Sequence, residues 1–418
     1  DGASLTWKDV SFSIKIPDAD AEKETGWKKF CTKTPKIEKV ILESSSGHVP
    51  AGSFVALMGP SGCGKTTLMD ILAAKKTAAW SGEVFINGHK VDRMYQRVIS
   101  YCAQKDIMPQ HWTVGEAVMF NAMLKKARPS NVSWKNFEKY IDTLIEDVGL
   151  LHVKDSKIGG PTVRGISGGQ RRRVSLARCM AGKAALMFCD EPTSGLSATD
   201  AELIAKTLLG FTRRWNMTVI CVIHQPRPEV AELFDQLIVM TSRPGRMLYN
   251  GPMQVARKHW ATVGFPVPSG VNPADHFLDV VTPGTKGADP DLFVRHYRQH
   301  VAPRIDAEVL EALEKPTLTT TELLEDERAR MLEFGSLPRI RRSVFGTSFF
   351  NQFRMTLKRK VKLTLRDKET LSTAFVAKII GGIVIGIIYS GIGGKTPKGI
   401  VQLPFLFTVL LQTSLGSL

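Results

Sequence analysis

The sequence predicts an α/β fold built on a parallel sheet and carrying a phosphate-binding loop, followed by helical segments of a different character. Three observations predict it. Short β-branched or apolar runs at residues 53–58, 84–86, 185–189, 218–223 and 237–240 alternate with helix-length stretches, the pattern of βαβ units whose strands are buried on both faces. A glycine-rich loop ending in Lys65-Thr66 follows the first run. After residue 338 the text turns basic and then almost wholly apolar.

At 418 residues the chain exceeds the roughly 100 to 200 residues of one domain, so two to three modules are expected. Hydrophobic residues make up 43% and charged residues 23%, which supplies a substantial core and excludes a wholly disordered chain. Lys and Arg number 56 against 40 Asp and Glu, and the net +16 points to a polyanion: nucleic acid, nucleotide phosphates or an anionic membrane face. The cysteines Cys31, Cys63, Cys102, Cys179, Cys189 and Cys221 form no C-x-x-C pair and read as reduced thiols, against a secreted disulfide scaffold. The text opens at Asp1 without a methionine or a basic-then-apolar leader, so no signal peptide is expected.

Residues 1–281 hold the alternating pattern, with the polar, lysine-rich stretch 17–39 expected as a surface insertion between two strands. Residues 282–338 are charged and broken by Thr282-Pro283-Gly284, Asp289-Pro290 and Lys315-Pro316, and are expected to be a linker with short helices. Residues 339–370 are rich in Arg and Lys, with Phe350, Phe353, Leu357, Val361 and Leu365 at spacings mostly of three or four. That pattern predicts a basic amphipathic connecting helix lying on a membrane surface, although a solvated charged helix shares the charge. Residues 371–392 predict a first transmembrane helix, since about 20 residues with a single internal charge, Lys378, span about 30 Å. A buried helix of a water-soluble protein would read similarly. Lys378 stands near the basic end, where its ammonium can reach the headgroups, and the basic excess places that side in the cytoplasm. Residues 400–418 are expected to begin a second transmembrane helix that the sequence cuts off.

The loop Gly59-Pro60-Ser61-Gly62-Cys63-Gly64-Lys65-Thr66 matches G-x-x-x-x-G-K-[ST] after a strand and before a helical stretch. Its glycines let backbone N–H groups converge on phosphate oxygens, Lys65 reaches the β and γ phosphates, and Thr66 is placed to hold Mg²⁺. The run 185–189 ends in Asp190-Glu191, where one carboxylate can support the metal and the next can polarise a water. An exposed acidic turn would look the same. Ser167-Gly168-Gly169-Gln170 offers a hydroxyl and open N–H groups to an anion, and otherwise is a common turn. His224 closes a further strand, where its ring can meet a γ-phosphate or simply cap the strand end; Gln104 is weaker still by itself.

Taken in order, these motifs resemble the nucleotide-binding domain of an ABC ATPase. The ATPase-first order, the segment Asn272-Pro273-Ala274-Asp275-His276-Phe277-Leu278-Asp279-Val280 and the Arg366-Asp367 pair resemble the G subfamily of half-transporters, White-like. The resemblance implies an α/β P-loop ABC nucleotide-binding domain over 1–281, an α-helical linker and the start of an α-helical transmembrane domain. It implies ATP and Mg²⁺ bound in a sandwich dimer, the P-loop of one subunit facing the signature Ser167, Gly168, Gly169 and Gln170 of the other. It carries over to Gly59 through Thr67 (including Thr67 itself) and Gln104 as nucleotide residues, Thr66, Gln104 and Asp190 as Mg²⁺ residues, Glu191 as the catalytic base and His224 as the switch. Two residues depart from the family pattern: Ser197 replaces the usual aspartate of the D-loop, and Ile14 stands where many ABC ATPases stack an aromatic on adenine.

The function expected is ATP-driven transport, with export of a lipid, sterol or other amphipathic small molecule by a homo- or heterodimer of half-transporters in contact with membrane lipids. The expected location is a multi-pass membrane protein with its nucleotide-binding domain in the cytoplasm. A soluble ABC-type ATPase acting on a ribosome or nucleic acid is the alternative the charge would suit. The single P-loop, the absence of sustained heptads and the apolar run at 371–392 weigh against it, and no nucleic acid is expected as a partner.

Overall fold

The computed structural model describes residues 2–17, 36–105, 107–125, 133–182, 184–242, 244–285, 287–329 and 345–390. They fall into two compact units, Asp1–Met108 with Thr113–Ser156 and Gly165–Thr347, and Pro109–Trp112 with Lys157–Arg164 and Ser348–Leu418.

The first unit runs β1 (Leu5–Pro17), β2 (Lys36–Val49), β3 (Phe54–Met58), α1 (Lys65–Leu72), β4 (Ser81–Ile86), β5 (His89–Lys90), α2 (Tyr95–Val98) and β6 (Ile99–Cys102). It continues through α3 (Val114–Lys125), α4 (Trp134–Asp147), α5 (Gly168–Met180), β7 (Leu186–Asp190), α6 (Ala198–Trp215), β8 (Thr218–Val222), α7 (Pro228–Ala231), β9 (Gln236–Thr241) and β10 (Arg246–Pro252). Helices α8 (Met253–Val263), α9 (Pro273–Asp279), α10 (Pro290–His296), α11 (Ala302–Glu314) and α12 (Thr320–Ala329) close it, with a π-helical turn at Tyr297–Val301.

Two sheets form. One has the order β10-β9-β3-β8-β7-β6, parallel throughout except for the β9–β10 pair. Strands β3 and β8 are buried along their whole length, as a parallel sheet covered on both faces requires. The other sheet, β2-β1-β4-β5, is antiparallel, so the run 84–86, read as a βαβ member, instead pairs antiparallel with β1. Leu5, Trp7, Val10 and Phe12 of β1 are buried in the core, the last two past a register shift, and Thr6 between the first two is buried as well. Trp7 is fully buried opposite Gly47, and a Cβ on Gly47 would lie 2.1 Å from the indole ring.

Two expectations are corrected here. The insertion at 17–39 is narrower than predicted, because Pro17 pairs with Lys36 and Ile14 with Lys39 in the β1–β2 ladder; residues 18–35 lie outside the described residues. The segment 282–338 is no linker as far as it is described. Ile305 and Val309 of α11 and Leu323 and Leu324 of α12 are buried in the same core as Leu5, Trp7 and Leu57, and the first unit continues to Thr347. Charge and proline masked an i, i+4 apolar pair.

In the second unit, Ser348 caps α13 (Phe349–Arg366), accepting from the Asn351 N–H, and α14 (Lys368–Ser390) follows after Asp367. The connecting helix therefore begins at Phe349, later than the predicted 339. Its stripe Phe350, Phe353, Leu357, Val361 and Leu365 is exposed. Arg366 donates to the carbonyl of His111 at 3.1 Å. Helix α14 covers most of the predicted first span, but no helix among the described residues is long and apolar enough to cross a membrane, and 400–418 lie outside them.

Because the Trp7 indole already occupies the place of a Gly47 side chain, Gly47→Ala should destabilise the first unit by about 1–3 kcal/mol. Denaturant unfolding followed by tryptophan fluorescence would check this, and an unchanged midpoint would contradict the close approach.

Candidate nucleotide site

The site is assembled by strand order. In the neighbouring strands β3, β8, β7 and β6, all parallel, the segments leaving the C-terminal ends carry the P-loop, His224, Asp190-Glu191 and Gln104 respectively. This is the edge where open α/β sheets bind ligands. Gly64, at φ 91, caps α1 without a side chain, so the helix begins at Lys65 with its N–H groups and positive end facing the loop. Gly62, at φ 76, has open space where a Cβ would stand.

Lys65 is 7% exposed, and its ammonium donates to the Gly59 carbonyl at 2.7 Å and the Pro60 carbonyl at 2.9 Å. The loop is thus folded around its own lysine. Cys63 is buried beneath it, and burial pushes its thiol up. Gly59 is held close, since a Cβ there would meet the Met240 carbonyl at 2.6 Å and Cys63 Sγ at 2.7 Å.

Three hydrogen bonds join the remaining residues. Thr66 Oγ1 donates to Asp190 Oδ1 at 3.4 Å, Gln104 Nε2 donates to Glu191 Oε2 at 2.6 Å, and Ser61 Oγ is hydrogen-bonded to His224 Nε2 at 3.1 Å. Burial, with the neighbouring Glu191 charge second, raises the Asp190 carboxyl above its ordinary value. Glu191 has φ 46, a left-handed conformation costing an L-residue of the order of 1–2 kcal/mol, and its N–H is held by the Val222 carbonyl at 3.1 Å.

The signature sits elsewhere. Ser167 is the N-cap of α5 in a capping box: its Oγ accepts from Gln170 N–H at 3.2 Å, and Gln170 Oε1 accepts from Ser167 N–H at 2.9 Å. Among the described residues these bonds stay within the cap and do not reach the P-loop. Gly168 has open space where a side chain would stand, and Gly169 packs against Asp200 at the start of α6. Ser197 is the N-cap of α6, accepting from the Asp200 N–H at 3.2 Å, a position that takes serine and aspartate alike. Ile14 is 37% exposed at the far end of β1.

Sequence reasoning missed two kinds of support. Gly245 lies under the P-loop, donating to the Ile41 carbonyl at 2.9 Å, and a Cβ on it would fall 2.3 Å from the Cys63 carbonyl. Asn272 caps α9 through the Ala274 N–H and also donates to the Pro226 carbonyl at 2.9 Å, two residues past His224. Phe277 of that helix stacks on the buried Trp260 at 4.2 Å. The Asn272–Val280 segment, noted in the sequence only for its family resemblance, thus has a structural task, tying down the loop after β8.

Residues 42–194 match the family model described as ABC transporter, and residues 224–292 match the one described as ABC-2 type transporter. ABC transporter G family member 22 of Dictyostelium discoideum is 34% identical over 98% of this chain and 62% of its own length. The chain belongs to the G family of ABC transporters. The broad substrate specificity ATP-binding cassette transporter ABCG2 of Sus scrofa is 31% identical over 96% of this chain and 60% of its own length. The chain spans about three-fifths of the length of these curated relatives. Among solved structures, the dimeric MJ0796, a bacterial ABC transporter cassette, matches with a TM-score of 0.46 and 21% identity, covering 60% of this chain and 98% of that one. The family's ATPase domain binds ATP.

Gly245→Ala must displace the Cys63 carbonyl and with it the P-loop. ATP affinity should fall about tenfold, the lower part of the 1–3 kcal/mol that overpacking costs; titration with a fluorescent ATP analogue measures it, and unchanged binding would show that the loop can yield.

Proposed function

We propose that this chain is the ATPase-bearing part of a half-transporter that couples ATP hydrolysis to export of a lipid, sterol or other amphipathic small molecule. The observation that carries the reading is the convergence of Lys65, Thr66, Asp190, Glu191, Gln104 and His224 on one edge of four neighbouring parallel strands. In this reading Lys65 exchanges its bonds to the Gly59 and Pro60 carbonyls for the β and γ phosphates, while the N–H groups of the loop and of α1 cradle them. The hard oxygens of Thr66 and Asp190, hydrogen-bonded to each other at 3.4 Å, suit Mg²⁺, which takes few protein ligands beside phosphate oxygens, and Gln104 is bonded to Glu191, the residue after Asp190. When bound, the ion neutralises charge between the phosphates. In this reading Glu191 takes a proton from the attacking water and His224 meets the γ-phosphate, supported by the bonds that hold the Glu191 carboxylate to Gln104 and the His224 ring to Ser61.

The hydrogen bonds of Ser167 and Gln170 stay within their own cap and Gly168 is unobstructed, which accords with a dimer in which a second half-transporter, identical or different, presents its signature to this P-loop. The apolar run of α14 and the basic α13 before it support insertion into a membrane from the cytoplasmic side, with α13 against the lipid headgroups. The broad substrate specificity in the name of the pig relative accords with amphipathic cargo.

Glu191→Gln should keep ATP binding and lower turnover by at least about 10²-fold in the purified full-length protein. Turnover close to wild type would remove Glu191 from the role. For the membrane reading, alkaline washing of membranes from expressing cells should leave the full-length protein in the pellet; release into the wash would place it at the surface only.

A further inference from the structure

Arg171-Arg172-Arg173 reads as a basic run, yet the fold takes its middle member inside. Arg172, in the first turns of α5, is 9% exposed, and every nitrogen of its guanidinium donates to main-chain carbonyls. Nε reaches Pro192 at 3.1 Å, Nη1 reaches Ala103 at 2.6 Å and Gln104 at 3.2 Å, and Nη2 reaches Asp190 at 2.9 Å. Those acceptors lie on the two segments that carry Gln104 and Glu191. Asp190 and Pro192 flank Glu191, so one planar group grips the backbone on both sides of the carboxylate and the backbone of its hydrogen-bonding partner.

We propose that Arg172 is a positioning residue for ATP hydrolysis: its guanidinium sets the Glu191 carboxylate against Gln104 by fixing the four backbone carbonyls around them. The inference rests on the reading of Glu191 as the water-activating base. The grip suits the task because Glu191 holds a left-handed backbone that no glycine relieves, and such a conformation persists only when its surroundings over-determine it. Four carbonyls accepting from one fork also favour arginine here. A lysine keeps the charge and much of the stem but offers a point donor that serves one or two of them.

The test uses the full-length protein in detergent or membranes, with Arg172→Lys and Arg172→Gln compared with wild type. ATP affinity should stay within about threefold and KM should hardly move, while kcat falls at least about tenfold, since small misplacements of a reacting group cost up to about 10² in rate. The deciding measurement is the same Arg172→Lys change in a Glu191→Gln background under single-turnover conditions. There it should slow hydrolysis less than about twofold, because the group it positions is already gone. Persistence of the full loss in that background would overturn the proposal, as would loss of ATP binding and thermal stability in step with activity in both variants, which makes Arg172 a packing residue. An unimpaired Glu191→Gln would sink the reading of Glu191 and this inference with it. An impaired Glu191→Gln beside unimpaired Arg172 variants would sink the inference alone.

Discussion

Register between parallel strands is the constraint on which the site rests. Cys102 is aligned with Cys189, Cys189 with Cys221 and Cys221 with Ala56, so Gln104, Asp190, the approach to His224 and the P-loop all emerge at the same level. Side chains alternate between the faces of a strand, so a one-residue slip of β7 would exchange the places of inward and outward groups. The carboxylate that faces Thr66 would then turn away. Burial of β3, β7 and β8 on both faces makes that slip costly, because it would also repack every residue of those strands. Catalytic geometry is thus inherited from hydrophobic burial.

Within that frame the polar groups are held in unfavourable states that their partners make tolerable. Lys65 is a buried cation surrounded by carbonyls, Asp190 is a carboxyl whose burial works against its charge, and Glu191 occupies a backbone region better suited to glycine. Each is satisfied by a specific neighbour: Lys65 by the Gly59 and Pro60 carbonyls, Asp190 by the Thr66 hydroxyl and Glu191 by the Gln104 amide.

How much of this was legible in the text depended on distance along the chain. The P-loop between a strand and a helix, Asp190-Glu191 at a strand's end and Ser167 through Gln170 at a helix start are local motifs carried by adjacent residues, and that secondary-structure setting is the one the fold has. The antiparallel β1–β4 pairing, the packing of α11 and α12 into the core and the close seat of Gly245 were not legible. Each depends on contacts across tens to hundreds of residues, while the local signal pointed elsewhere: charge and proline in 282–329, a lone glycine at 245, an arginine triplet around 172. In the triplet, three identical letters received different environments because successive helical residues turn to different faces.

The capping box at Ser167 settles which half of its hydroxyl is already committed. The oxygen spends a lone pair on the Gln170 N–H, while Gln170 in return takes the Ser167 N–H through its own carbonyl oxygen. The hydroxyl keeps its hydrogen and one lone pair, and the glutamine keeps its two amide hydrogens and one lone pair, so with Gly168 unobstructed beside them donors outnumber acceptors among what the cap leaves uncommitted. Holding the helix start together and setting its outward polarity are therefore the same arrangement seen from inside and outside: one acceptor site of each side chain is committed within the cap, while their hydrogens are not.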